Sequence, residues 1–181
     1  MSNTERQVHS SNGSDALAIF EGLVQGRMRD QLPRVVTLTM TLRPDIFGAL
    51  MAAMKAVLFE GILPPTVKQM IVMAISVQNN CGFCASMHTA MLESLGVPEA
   101  VIASCAGDPD LAQIPPLYRQ ILRFALKAAQ QPGHVTEEDF QVLRDGGLNE
   151  EEILEVAMLA SYSNFLNTWT EVADVLPDLA R

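Results

Sequence analysis

The chain lacks the features that would place it on a membrane or a nucleic acid. Of its 181 residues only 12 are Lys or Arg against 21 Asp or Glu, a formal net charge of −9. No basic run and no aromatic-plus-basic stripe interrupts that balance, so sequence-independent binding to a phosphate backbone and docking on anionic lipid are both disfavoured. No apolar run approaches the ~18–20 residues a bilayer span requires. Residues 1–15 are polar, rich in Ser and Asn, and without an apolar h-region; they predict a short flexible arm rather than a secretory signal. Cysteine is scarce and odd in number, three in all. With no signal peptide this predicts the reducing cytoplasm, where a close Cys pair serves catalysis or metal binding rather than a structural bridge.

Two-residue alternation bounded by hairpin turns is also missing, as are internal repeats and any low-complexity linker after residue 15. What remains reads with helical period, so the prediction is an all-α, single-domain compact helical bundle over residues 16–181. Segment 16–27 is a short amphipathic candidate. Segment 35–42 is β-branched and ambiguous between helix and strand. Pro44 and Asp45 suit the first turn of a helix running to about residue 59, closed by Gly61. Pro64 and Pro65 open a helix toward Asn79, where two asparagines break the pattern before another helix over 81–95. Gly96 is the expected C-terminal stop, and Pro98 restarts the chain over 99–105. Further helices are expected over 117–130, from a capping box at Thr136 and Asp139, and from a second box at Asn149 and Glu152. The last helix is apolar nearly all round over 153–160 and is expected to be buried in the core or in an interface. Hydrophobic residues make up 49% of a chain with no membrane span, and so much apolar surface predicts a homo-oligomer.

The chemistry is concentrated in one segment, Asn79-Asn80-Cys81-Gly82-Phe83-Cys84-Ala85-Ser86-Met87-His88. On a helix, residues 81, 84 and 88 share a face. Two thiols one turn apart can close a disulfide with little backbone movement, and a His one turn beyond Cys84 can accept or supply the proton that thiolate chemistry needs. Free N–H groups and the macrodipole at the helix start stabilise a thiolate, pulling its pKa down from ~8.5. Plainer readings stand beside this one. The cysteines can be small core residues, and a zinc site would take Cys81, Cys84 and His88 but lack a fourth ligand, since no second Cys-x-x-Cys exists. Covalent haem would need the His where Ala85 stands. Cys105 has no partner by spacing and reads as core filler, as do most of the ten methionines.

The block PTVKQMIVMAISVQNNCGFCASMHTAMLESLG, with its Cys-x-x-Cys-x-x-x-His motif and Gly-Val-Pro turn, resembles the alkylhydroperoxidase D-like branch of the carboxymuconolactone decarboxylase superfamily. The resemblance continues more weakly through VTEEDFQVLRDGGLNEEEILEVAMLASYSNFLN. It implies an oligomeric all-α fold that reduces hydroperoxides through a reversible Cys81–Cys84 disulfide. It further implies that Cys84 is the attacking thiol, Cys81 resolves the sulfenic acid, and His88 belongs to a proton relay. No metal or organic cofactor is implied, and electrons come from a dithiol, for example a lipoyl-bearing protein. One departure stands out. The family pattern places a Glu twelve residues before the first Cys, and this chain has Gln69. An amide can orient His88 but cannot take a proton at neutral pH. Two other readings remain open: a decarboxylase-type enzyme, and a non-catalytic redox sensor whose Cys pair toggles packing.

Overall fold

The computed structural model describes residues 33–172; the arm over 1–15 and the helix expected over 16–27 lie outside them. Among the described residues there is no strand. The elements in chain order are α1 (Arg34–Leu42), α2 (Pro44–Met54), a π turn (Lys55–Phe59), α3 (Pro65–Gln78) and α4 (Gly82–Ser94). They continue as α5 (Glu99–Cys105), α6 (Pro116–Gln130), α7 (Glu137–Asp145) and α8 (Glu150–Glu171), with short 3-10 turns before and after α6. The ambiguous segment over 35–42 is therefore helical. The last helix ends at Glu171 within the described residues.

Local chemistry explains where these helices begin and end. Pro44, Pro65 and Pro116 each sit in a first turn, where the missing N–H costs no hydrogen bond and the fixed φ suits the helix. The boxes Thr136/Asp139 and Asn149/Glu152 form at the starts of α7 and α8, each with its reciprocal side-chain bonds. Gly96 adopts φ +78° after α4, and the N–H of Val97 returns 3.0 Å to the carbonyl of Leu92, the six-to-one bond of a Schellman stop.

The core is organised around α3. Every residue from Thr66 to Ser76 is buried, because α4, α6 and α8 pack around it and leave no polar face. Ile71, Val72 and Ile75 are fully enclosed, each contributing about 1.5–3 kcal/mol by burial. Within the single chain α8 is buried along one face, so of the two settings expected for it, core or interface, the core takes only part. Ile153, Val156, Leu159 and Ala160 face the core, but Leu154 and Met158 are 63% and 49% exposed. Alternation of faces at helical spacing, not overall apolarity, decides which residues go inside. No described helix is long and apolar enough to cross a membrane.

Candidate redox site

The site forms where α3 turns into α4. α3 stops at Asn79, and Asn80 takes the left-handed conformation at φ 57°, which a short polar side chain tolerates better than most. This turns the chain so that Cys81 becomes the N-cap of α4 rather than a residue of its first turn. Cys81 is pinned by its N–H, 2.9 Å from the carbonyl of Ser76, and its own carbonyl accepts the N–H of Ala85 at 2.9 Å. Among the described residues no side chain caps this helix start, and no acidic residue lies in its first turn, so its N-terminal dipole acts on the thiols.

The asparagines anchor the turn. Asn79 donates to Asn164 and Asn167 on α8, both at 2.8 Å, and accepts from Gln130 on α6 at 2.6 Å. Asn167 donates in turn to the hydroxyl of Ser76 at 2.9 Å. Three helices are thereby tied to the turn that carries the cysteines, through polar groups that each find a partner.

Both cysteines are buried and free, and the two residues approach to 2.9 Å. Their surroundings differ. Cys84, with His88 one turn on, lines a small cavity of about 40 Å³; Cys81 lies behind it and is not part of the lining. The walls are apolar: Met54 and Phe59 from α2 and the π turn, Phe83 and Met87 from α4, and Trp169 from α8. The pair shares a proton unequally. The S–H of Cys81 hydrogen-bonds to Cys84 and lowers the Cys84 thiol to about 7 against the opposing pull of burial, with help from Thr170 and Asn167. The same hydrogen bond, together with burial, pushes the Cys81 thiol up.

His88 is buried, and burial lowers its pKa to about 4, so the ring is neutral at physiological pH. Its Nδ1 lies 2.6 Å from Oε1 of Gln69, an acceptor, so Nδ1–H is the donor and Nε2 keeps its lone pair. Gln69 is fully buried, and its Nε2 has no hydrogen-bond partner among the described residues. The four residues singled out in the sequence thus converge: Cys81, Cys84 and His88 on α4 and its cap, Gln69 on α3. The carboxylates near the motif in sequence are engaged or turned elsewhere: Glu60 pairs with Lys55 at 2.7 Å and Glu93 is exposed. Cys105 is enclosed in the main core. Among the described residues no group of three His, Cys, Asp or Glu side chains could hold a metal ion.

One member was missed. Thr170 of α8 places its hydroxyl 3.2 Å from both sulfurs. The signal was present as Ser163, Asn167 and Thr170, polar residues at steps of four and three on the buried face of an otherwise apolar helix.

This geometry and fold define the all-α alkylhydroperoxidase D-like class. Residues 44–131 match the carboxymuconolactone decarboxylase family. A peroxidase-related protein from Ralstonia eutropha JMP134, described as an alkylhydroperoxidase AhpD core, is 32% identical over 80% of this chain and 77% of its own, with a TM-score of 0.71. The debrominase Bmp8 is 25% identical over 82% of this chain and 79% of its own, with a TM-score of 0.69. A peroxidase-related protein from Silicibacter sp. TM1040 shares the fold at 22% identity, over 76% of this chain and 72% of its own, with a TM-score of 0.69. No curated protein is a significant match in sequence. The chain belongs to the alkylhydroperoxidase D-like group of the carboxymuconolactone decarboxylase superfamily.

Proposed function

We propose that the protein is a thiol-dependent oxidoreductase that reduces hydroperoxides through a reversible Cys81–Cys84 disulfide. The observation that carries this reading is the asymmetry of the pair: Cys84 faces the cavity with the lowered pKa, and Cys81 stands behind it holding its proton. The Cys84 thiolate attacks the peroxide oxygen, the O–O bond breaks, and Cys84 becomes a sulfenic acid as the alkoxide leaves. Nε2 of His88 takes the Cys84 proton transiently and passes it to that alkoxide, giving the alcohol. Cys81 then attacks the sulfenic sulfur, forming the disulfide and releasing water. An external dithiol, such as a lipoyl group on a partner protein, reduces the disulfide and becomes oxidised itself.

The cavity supports a hydroperoxide over a bulkier substrate. About 40 Å³ admits one to a few water-sized groups, which suits an –OOH head. The debrominase relative has been seen with 2,3,4-tribromopyrrole; a ring with three halogens would require these walls to move. The redox-sensor reading draws on Gln69, which leaves the relay without a carboxylate. We further propose a cytoplasmic homo-oligomer. Leu42 and Ile46 beside the start of α2, and Leu154 and Phe165 on α8, are exposed apolar side chains that a second copy would cover.

Stopped-flow mixing of the reduced protein with hydrogen peroxide and an organic hydroperoxide tests the roles. Fast thiol loss is expected in the wild type, absent in Cys84→Ser, with a sulfenic acid trapped in Cys81→Ser. Oxidation no faster than that of an ordinary exposed cysteine would overturn the reading. Oxidation that stops at one equivalent despite excess dithiol would leave a sensor.

A further inference from the structure

α8 delivers one hydroxyl to a point equidistant from two sulfurs, and that hydroxyl carries a single proton. Thr170 is buried, with Oγ1 3.2 Å from Cys81 and 3.2 Å from Cys84. The same oxygen lies 2.9 Å from the carbonyl of Leu166 and 3.1 Å from that of Asn167. Its O–H therefore has two alternative directions, back to the helix backbone or forward to sulfur, separated by a rotation about one bond.

The state of the sulfurs decides between them. With both thiols protonated, the hydroxyl donates to the backbone and its oxygen accepts an S–H. When Cys84 ionises, the O–H turns to the thiolate, and a hydrogen bond to a full charge is roughly twice as strong as one between neutral groups. In the disulfide neither sulfur has a proton to give nor a charge to attract, so the O–H returns to the backbone. The hydroxyl thus favours one redox state of the pair over the other.

We propose that Thr170 is a positioning residue that sets the redox balance of the Cys81–Cys84 pair, by donating to the Cys84 thiolate and so stabilising the reduced site against its disulfide. The reaction it biases is the two-electron exchange in which an external dithiol is oxidised to its disulfide and Cys81–Cys84 is reduced to two thiols, one of them ionised. This deepens the peroxidase reading, since a more readily reduced disulfide returns sooner to the attacking form. The groups facing Cys84 are otherwise few. Cys81 and His88 belong to its own helix and cap, and Glu171 acts on it from α8, opposing ionisation. Asn167 of α8 and Gln69 of α3 are neutral, and among the described residues α1 and α2 line the cavity with Val36, Met51 and Met54 alone. The lowered Cys84 pKa, with Thr170 among its causes, accords with this role.

The test uses Thr170→Val, which keeps the branched shape and removes the hydroxyl, and Thr170→Ser, which keeps the hydroxyl. Thiolate absorbance is followed against pH, and the thiol–disulfide equilibrium is measured in dithiothreitol redox buffers. In Thr170→Val the Cys84 titration is expected to rise by about 1 unit. The equilibrium should move toward the disulfide by about tenfold near pH 9, or ~30 mV more reducing, and barely at all near pH 6, where the thiol is protonated with or without the hydroxyl. Thr170→Ser should titrate like the wild type. A Thr170→Val protein with unchanged titration and potential would overturn the proposal. So would a Thr170→Ser protein shifted as far as Thr170→Val, because the methyl would then be responsible. A shift equally large at both pH values would also overturn it. If Thr170→Val does not fold, Thr170→Ala supplies the hydroxyl-free arm. Neither readout uses peroxide, so a wild type inert to peroxide would remove the peroxidase reading and leave this one standing.

Discussion

Lys68 and Gln69 are adjacent on α3, both enclosed, and they reach opposite surroundings. Lys68 carries a full charge into the core. Its ammonium donates to the carbonyl of Glu60, lies 3.4 Å from that of Val57, and forms an ion pair with Glu155 of α8. Oε2 of Glu155 also accepts the N–H groups of Ile62 and Leu63 at 2.9 and 3.2 Å. Gly61, at φ +95°, passes so close to that carboxylate that a Cβ there would collide with it. Gln69, one residue on, brings no charge and meets a neutral imidazole. In one region a buried charge fixes a loop to a helix; in the other the family's carboxylate position is neutral and so is the ring beside it. The contrast separates charge that holds architecture from a cavity whose described lining stays neutral until the thiolate forms.

Breaking the first region should have the largest effect. Lys68→Met or Glu155→Gln alone leaves one buried charge uncompensated and is expected to cost about 3–5 kcal/mol in urea unfolding. Replacing both with apolar residues should restore much of that stability. A single replacement that costs less than ~1 kcal/mol would show that the pair does not fix the loop.

The second region should respond to pH instead. His88 has a folded pKa near 4, below its ordinary value of about 6.5. The unfolded chain therefore binds the proton more readily, and stability rises with pH between those values. It is fully present above about pH 6.5 and is lost progressively down to about pH 4, by roughly 3 kcal/mol from this group. His88→Asn should flatten that part of the stability profile; an unchanged slope would place the acid sensitivity elsewhere.

The smallest change should be the most specific. Gln69→Glu places a carboxylate against Nδ1 and is expected to raise the His88 pKa by about 1–2 units, read from the imidazole resonances by NMR. It would make the second region resemble the first. An unmoved His88 would mean that the new carboxyl itself takes up the proton and stays neutral.

Much of this was legible in the sequence, because the signals were local. Prolines in first turns, the two capping boxes and the glycine stops each act within a few residues, and the Cys-x-x-Cys-x-x-x-His spacing brought the thiols and the ring together. What escaped depends on chain distance. Thr170 lies 86 residues from Cys84, and Asn167 lies 91 from Ser76. The charge pair of Lys68 and Glu155 likewise joins two helices that no pattern of spacing relates. Helical geometry also put Cys81 within α4, whereas the left-handed Asn80 makes it the cap, which is why it retreats behind Cys84.

The π turn at Lys55–Phe59 has a consequence for how this pocket could be redrawn. In an α-helix five residues sweep about 500°, so Phe59 would point roughly 140° away from Met54. With i→i+5 bonding, marked here by the N–H of Glu60 at 3.0 Å from the carbonyl of Lys55, residues five apart stack one turn above another. Met54 and Phe59 consequently share one wall of the cavity. The turn behaves as a phase shifter in the chain: with every residue kept, a return to α geometry would swing the aromatic ring off the wall and change the shape of what fits beside Cys84, whereas removal of a single residue between 55 and 59 would leave Met54 and the ring four apart, about 40° from alignment, and preserve the wall.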